Sequence, residues 1–232
     1  MKYHMRKQIS FLVLITFWGL TATGQNTQYV KASESDPEAK TILDKLRKKY
    51  DGYQSLEAAF KLEIELPEKD KEVQKGKIAR QGAKYWLELP AQSVLSDGKA
   101  LWMILHGNKE VQINDLPDPE ETAGSLLTPE SIFNFYQKGE FVYQLLNEYS
   151  KGGVVVQEVE FKPLDKNSEY AKLRMEVNKG KNEIMSVKAF ARDGSRYTFS
   201  IEQFTPNKSF AANYFSFDKN KYQGYHLEDL RE

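Results

Sequence analysis

The chain has 232 residues, no cysteine and a formal charge of zero, with 33 Lys and Arg against 33 Asp and Glu. That balance leaves no electrostatic footprint for nucleic acid, and without cysteine no disulfide staples the fold, so stability rests on a core of ordinary size. Aromatics are abundant for so hydrophilic a chain, 13 Tyr, 13 Phe and 3 Trp; they suit either the filled core of a barrel or the lining of an apolar cavity, the filled core being the commoner use.

Lys2, Arg6 and Lys7 precede an almost wholly apolar run, Ile9 to Leu20, which ends in Thr21-Ala22-Thr23-Gly24. Charge, apolar run and small residues in that order read as a secretory signal over 1–24, cleaved near Gly24. As a membrane anchor the run falls short of the roughly 20 residues that span a bilayer. No cysteine follows it, so the exported chain is expected to carry no lipid anchor. What remains bears 30 Lys and Arg against 33 Asp and Glu, a net charge of −3, scattered as a solvated surface would have it. Residues 25–35 read as a polar, flexible leader and 36–232 as one domain, since no Pro/Ser/Gly-rich linker divides them.

Asp36-Pro37 opens a helix, Asp36 as N-cap and Pro37 at the first helical position, where its missing N–H costs nothing. Ala39, Ile42, Leu43, Leu46, Tyr50 and Tyr53 form one apolar stripe, with Gly52 as a stop. The period then switches to two: Leu56, Ala58, Phe60, Leu62, Ile64 and Leu66 alternate with mostly polar residues up to Pro67. Further strands are predicted over 72–80, 84–89, 92–96, 99–106, 109–114, 141–148, 154–162, 170–178, 183–191 and 195–204, with a possible last one over 225–230. Asp97-Gly98 and Gly107-Asn108 read as tight hairpin turns. Thr128-Pro129 starts a second, short aromatic helix holding Phe133 and Tyr136. About eleven locally connected antiparallel strands with two helices predict a mainly β, α+β fold, a strongly curved sheet whose mouth the helices plug.

Catalytic constellations are scarce. His4 leaves with the signal, and His106 and His226 lack any metal-ligand spacing; His106, beside a Gly-Asn turn, reads as a surface residue. There is no nucleophile elbow, phosphate loop or HExxH; an enzyme built on a carboxylate pair stays open, but the sequence picks out no pair, and neither an enzyme nor a cofactor is expected. Asp115, Asp118, Glu120 and Glu121 lack the glycine-interrupted alternation of a calcium loop and read as solvated.

The stretch Ser96-Asp97-Gly98-Lys99-Ala100-Leu101-Trp102 resembles a heptad of the outer-membrane lipoprotein carrier (LolA) family. The opening helix, Tyr53-x-Ser-Leu-x-Ala-x-Phe60, Gly76, Lys84-Tyr85-Trp86-Leu87-Glu88-Leu89-Pro90 and Asp229-Leu230-Arg231 agree with it in order. The resemblance implies an incomplete antiparallel barrel under a helical lid: a periplasmic, monomeric chaperone that takes acylated lipoproteins from the inner-membrane ABC release transporter to an acceptor at the outer membrane, or to that membrane itself. Another amphiphile, such as a glycolipid, would suit the same half-barrel. Combining the likeness with strand alternation and helical stripe, the acyl-chain lining is predicted as Ile42, Leu46, Phe60, Leu62, Ile64, Tyr85, Leu87, Trp102, Phe133 and Tyr136. One departure stands out: the family's lid-tethering arginine has no counterpart at the expected place, which Gln81-Gly82 occupies, and the nearest basic side chain is Arg80.

Overall fold

Asp36 starts the first α-helix as its sequence demands. Its carboxylate accepts the Glu38 N–H at 2.9 Å, and α1 runs Pro37–Asp51. The stop is Gly52, but in the right-handed region (φ −74°), so the helix ends without the left-handed cap that glycine usually provides. The buried stripe is Ala39, Ile42, Leu43, Leu46 and Tyr50. The computed structural model describes residues 34–116, 133, 135–137 and 139–231. The expected signal, most of the leader and the start of the second predicted helix lie outside them; of that helix only Phe133 and a 3-10 turn, Phe135–Gln137, are described.

Twelve strands form one sheet: β1 (Ser55–Glu65), β2 (Glu72–Gln81), β3 (Lys84–Glu88), β4 (Gln92–Ser96), β5 (Ala100–Leu105), β6 (Glu110–Asp115), β7 (Phe141–Lys151), β8 (Val154–Pro163), β9 (Tyr170–Asn178), β10 (Glu183–Ala191), β11 (Arg196–Pro206) and β12 (His226–Asp229). Their order is β12-β6-β5-β4-β3-β2-β1-β11-β10-β9-β8-β7, with β12 and β7 as free edges, so the barrel is left open. Local hairpins set every pairing but two: β1 pairs antiparallel with the distant β11, and β12 returns parallel to β6. The expected possible last strand thus exists, with a direction no hairpin rule foretells.

Cross-strand partners share a face, so the register separates two packed layers. Rows such as Ala58–Ile78–Leu87–Val94–Met103 point to the inner face, where α1 lies. Rows such as Ala79–Trp86–Leu95–Trp102–Ile113 point to the outer face. There the irregular segment after β11 crosses the sheet as a strap carrying Phe210, Tyr214, Phe215 and Phe217. The Asp97-Gly98 turn is wider than a two-residue hairpin: the last β4–β5 pair is Ser96–Leu101. Within it Gly98 has φ +87°, and the Asp97 carboxylate accepts the N–H groups of Lys99 and Ala100 at 2.8 and 3.0 Å.

Candidate functional site

The inner face is the apolar surface that the fold builds. β1 supplies Leu56, Ala58, Phe60 and Leu62; β8 and β9 supply Val159, Phe161, Leu173 and Met175; α1 lays Ile42, Leu43 and Leu46 over them. Phe60 is seated by a glycine: a Cβ on Gly76, its partner on β2, would fall 2.3 Å from the Phe60 ring. The ring then stacks obliquely on Phe199 at 4.7 Å. Phe133 and Tyr136 belong to the same cluster, Phe133 stacked on Tyr50 at 5.2 Å.

This arrangement brings together Ile42, Leu46, Phe60, Leu62, Leu87, Phe133 and Tyr136, all buried in the cluster, with Ile64 packed at its edge. Tyr85 joins from the row Leu56–Arg80–Tyr85–Ser96–Leu101, half-buried on the same face. Trp102 does not join them. It pairs with Leu95 and stacks on Phe217 of the strap at 5.7 Å, on the outer face, and is withdrawn from the predicted lining. The reason is physical: β5 reads Ala-Leu-Trp-Met-Ile-Leu and is apolar on both faces, because strap and inner face each need one. Alternation there carries no information about which side is which. The strand's inward side chains, which the sequence did not single out as lining, are Leu101, Met103 and Leu105; with Val94 of β4 they are half-buried.

His106 is likewise no plain surface residue. It is half-buried, with Nε2 2.9 Å from the Ser93 hydroxyl oxygen and Nδ1 3.4 Å from that of Tyr225 in the strap. Among the described residues no cluster of three or more His, Asp or Glu could hold a metal ion. Of the acidic loop only Asp115 is described.

The helix is tied to the sheet at both ends. At its start the second Asp36 oxygen accepts the Leu145 N–H of edge strand β7 at 2.9 Å, and the Asp36 N–H donates to the Tyr143 carbonyl at 3.0 Å. The Leu145 and Glu38 amides together hold the Asp36 carboxyl below the usual carboxylate range. At its end the Tyr50 hydroxyl oxygen accepts the Ile184 N–H at 3.1 Å, and Lys49 reaches Glu183 at 2.8 Å and the Lys181 carbonyl at 2.6 Å. Burial pushes the Tyr50 phenol up. Arg80 stands on the inner face between Leu56 and Tyr85, its Nε buried and without a hydrogen-bond partner among the described residues.

The outer face differs between halves. Over β2–β6 it is apolar and covered by the strap; over β8–β11 it is charged and, among the described residues, uncovered. Glu160 there accepts from Lys172 Nζ and Arg174 Nε, each at 3.0 Å. Burial pushes the Glu160 carboxyl up, and these bonds overcome it, leaving it below the usual range.

The sequence signature of the outer membrane lipoprotein carrier protein LolA matches residues 51–218. The chain belongs to that family. A crystal structure from Thermus thermophilus, of an uncharacterized conserved protein, superimposes with a TM-score of 0.54 at 9% identity over 83% of this chain and 99% of that one. LprF from Mycobacterium bovis matches at 0.47 and 11% identity, over 76% and 96%. A LolA superfamily protein from Nitrosomonas europaea matches at 0.41 and 14%, over 78% and 98%. At such identities the Thermus likeness speaks for the fold alone. No curated protein matches the sequence. With the LolA family shown, the open antiparallel sheet under a helix is the half-barrel with helical lid that the sequence led one to expect. Among the described residues no helix is long and apolar enough to cross a membrane.

Proposed function

We propose that this LolA-family chain is a periplasmic carrier, not an enzyme, and that it shelters the acyl chains of lipoproteins on the inner face of its sheet while moving them from the inner membrane towards the outer. One observation carries the reading: a continuous apolar face, Leu56 to Leu62 on β1 through Leu173 and Met175 on β9, is covered, among the described residues, by the amphipathic helix α1 with Phe133, Phe135 and Tyr136 rather than by a second sheet. A helix is a cover that can be exchanged for other apolar matter.

The energetics suit exchange. Uncovering Ile42, Leu43 and Leu46 costs about 1.5–3 kcal/mol each, so roughly 5–9 kcal/mol in all. An alkyl chain taking their place gains about 0.8 kcal/mol per sheltered methylene, on the order of 10 kcal/mol for a long chain. The two nearly cancel, leaving a net affinity that permits handover. Loading would draw on a partner transporter at the inner membrane, and delivery on an acceptor at the outer membrane or on that membrane. The proposed boundaries are a signal over 1–24, a leader over 25–35 and a carrier domain over 36–232.

Residues 25–232, stripped of lipid, are expected to bind an environment-sensitive alkyl probe. In cells, a photo-crosslinker at Leu87 should capture the acylated end of a lipoprotein while one at Trp102, under the strap, should not. Capture at Trp102 alone, or binding of no probe, refutes the reading. Mass spectrometry of co-purified lipid distinguishes lipoprotein from another amphiphile.

A further inference from the structure

The sheet comes apart at one end between β10 and β11. Their ladder runs from Ser186–Ser200 to Phe190–Arg196. Beyond it Ile201 to Pro206 of β11 continues against β1, and Glu183 and Ile184 of β10 continue against β9, so the two strands part company. A register shift marks the parting on each side, at Ala59/Phe60 of β1 and at Ile184/Ser186 of β10. Bulges of this kind re-aim a strand and end its pairing. The gap opens into a groove of about 890 Å³, within the size range of small-molecule sites. Ile184, Met185, Ile201 and Phe204 line it near the split, and Lys181 and Glu202 are among its charged walls.

The last turn of α1 sits across that gap and holds both sides. The Tyr50 hydroxyl oxygen accepts from the Ile184 N–H the hydrogen bond that β11 does not accept. The Tyr50 ring meets Phe204 of β11 edge-on at 5.7 Å, and Lys49 is bonded to Glu183 beside the gap. The inner face lies directly behind: Tyr50 is a member of its cluster, and so are Ile184 and, at the margin, Ile201 and Phe204.

We propose that the split between β10 and β11 is the mouth through which an alkyl chain reaches the inner face, with Tyr50 as its gate and the polar groove as the seat of the ligand's head. This rests on the carrier reading and adds the route. Apolar side chains at the split fit a tail. Walls of both charge signs fit a head that is polar without large net charge, such as an amide or ester linkage with the start of a peptide. Swinging the last turn of α1 outward breaks the Ile184–Tyr50 hydrogen bond, the Lys49 bonds to Glu183 and to the Lys181 carbonyl, and the Tyr50 ring contacts with Phe133 and Phe204, a smaller opening than lifting the whole helix.

The chain has no cysteine, so a single introduced thiol can be labelled cleanly. Gln203→Cys places a bulky maleimide in the groove, Gln112→Cys places one on the inner face at the β6 end, and Val73→Cys places one on exposed β2 as a control. Uptake of cis-parinaric acid is followed by stopped-flow fluorescence in each. The Gln203 label is expected to slow uptake by an order of magnitude or more, well beyond any effect of the Gln112 label on the binding face, with little change from the Val73 label. Tyr50→Phe is expected to speed uptake roughly fivefold and to raise amide exchange at Ile184 by a similar factor. Uptake slowed by the Gln112 label and indifferent to the Gln203 label overturns the route while leaving the carrier reading intact. Unchanged uptake and exchange in Tyr50→Phe overturns the gate. A protein that binds no probe in any form overturns both route and reading.

Discussion

Gly76→Ala tests whether the inner face is packed as the register says. A Cβ there would lie 2.3 and 2.8 Å from Cζ and Cε2 of the Phe60 ring and 2.6 Å from the Glu88 carbonyl oxygen. Real Cβ atoms do not approach so closely, and neither neighbour yields easily. Phe60 is 2% exposed and wedged against Phe199, and Glu88 is fixed opposite Lys77 in the β2–β3 ladder. Overpacking of this kind costs about 1–3 kcal/mol, offset by roughly 0.5–1 kcal/mol because alanine orders more cheaply than glycine in a strand. A net loss of about 1–2 kcal/mol should shift the urea midpoint without changing the slope of unfolding. Adding Phe60→Leu removes the ring but not the carbonyl. The double variant should therefore be less destabilised than the sum of the singles by about 1 kcal/mol, a coupling within the range for residues in contact. Strict additivity would mean that Phe60 does not lie over Gly76, and the assignment of Phe60 to the inner face would fall with it.

Three further outcomes follow from the ties around the sheet. Asp36→Ala should cost about 1 kcal/mol, as lost N-caps do, and should loosen β7 near Leu145 in amide exchange. The folded Asp36 carboxyl lies below its ordinary value, held there by the Leu145 and Glu38 amides; its contribution is therefore present above the unfolded carboxylate value near 4 and disappears as pH falls through the folded one. Wild type should show that acid loss in denaturation midpoints, and Asp36→Ala should show less of it. Glu63 accepts from Lys61 and is paired with Lys71, which bring its carboxyl down to about 2; a side-chain NMR titration ending near the ordinary value instead would break that pairing. Trp102→Ala should expose the strap to trypsin at Lys219 and Lys221 while leaving alkyl-probe binding unchanged, because Trp102 serves the outer face.

Much of the frame is legible in the chain because local rules act alone there. Asp36-Pro37 caps α1, the stripe from Ala39 to Tyr50 picks its buried face, and the alternation Leu56 to Leu62 picks the inner side of β1. Where two demands meet, the pattern goes silent. β5 is apolar on both sides, so Trp102 could be placed on either by alternation. The strap has no period: Phe210, Tyr214, Phe215 and Phe217 sit on irregular backbone and are ordered by contact with Trp102, Trp86 and Leu95, residues far away in sequence. The split beside Ile184 depends on two bulges, and neither Ile201-Glu202-Gln203, opposite Ala59-Phe60, nor Ile184-Met185-Ser186 carries glycine or proline to announce one.

The two covers of the sheet differ in how firmly they can be held, and that difference bears on which one moves. The strap is fixed by a ladder, β12 against β6 from His226–Glu110 to Asp229–Ile113, and by ring stacking of Trp102 on Phe217 and of Phe217 on Tyr222. Removing it would uncover backbone groups of β6 as well as apolar side chains, and an alkyl chain offers no hydrogen bonds in return. The helix keeps its backbone bonds within itself. Lifting it breaks the two Asp36 bonds to β7, the Ile184 bond to Tyr50 and the Lys49 bonds to Glu183 and the Lys181 carbonyl, and most of what it leaves behind is apolar surface that an alkyl chain can cover as well. On the carrier proposal, a ligand without hydrogen-bonding capacity along its length would therefore replace α1 and not the strap, which would put the moving part on the inner face and the fixed wall on the outer.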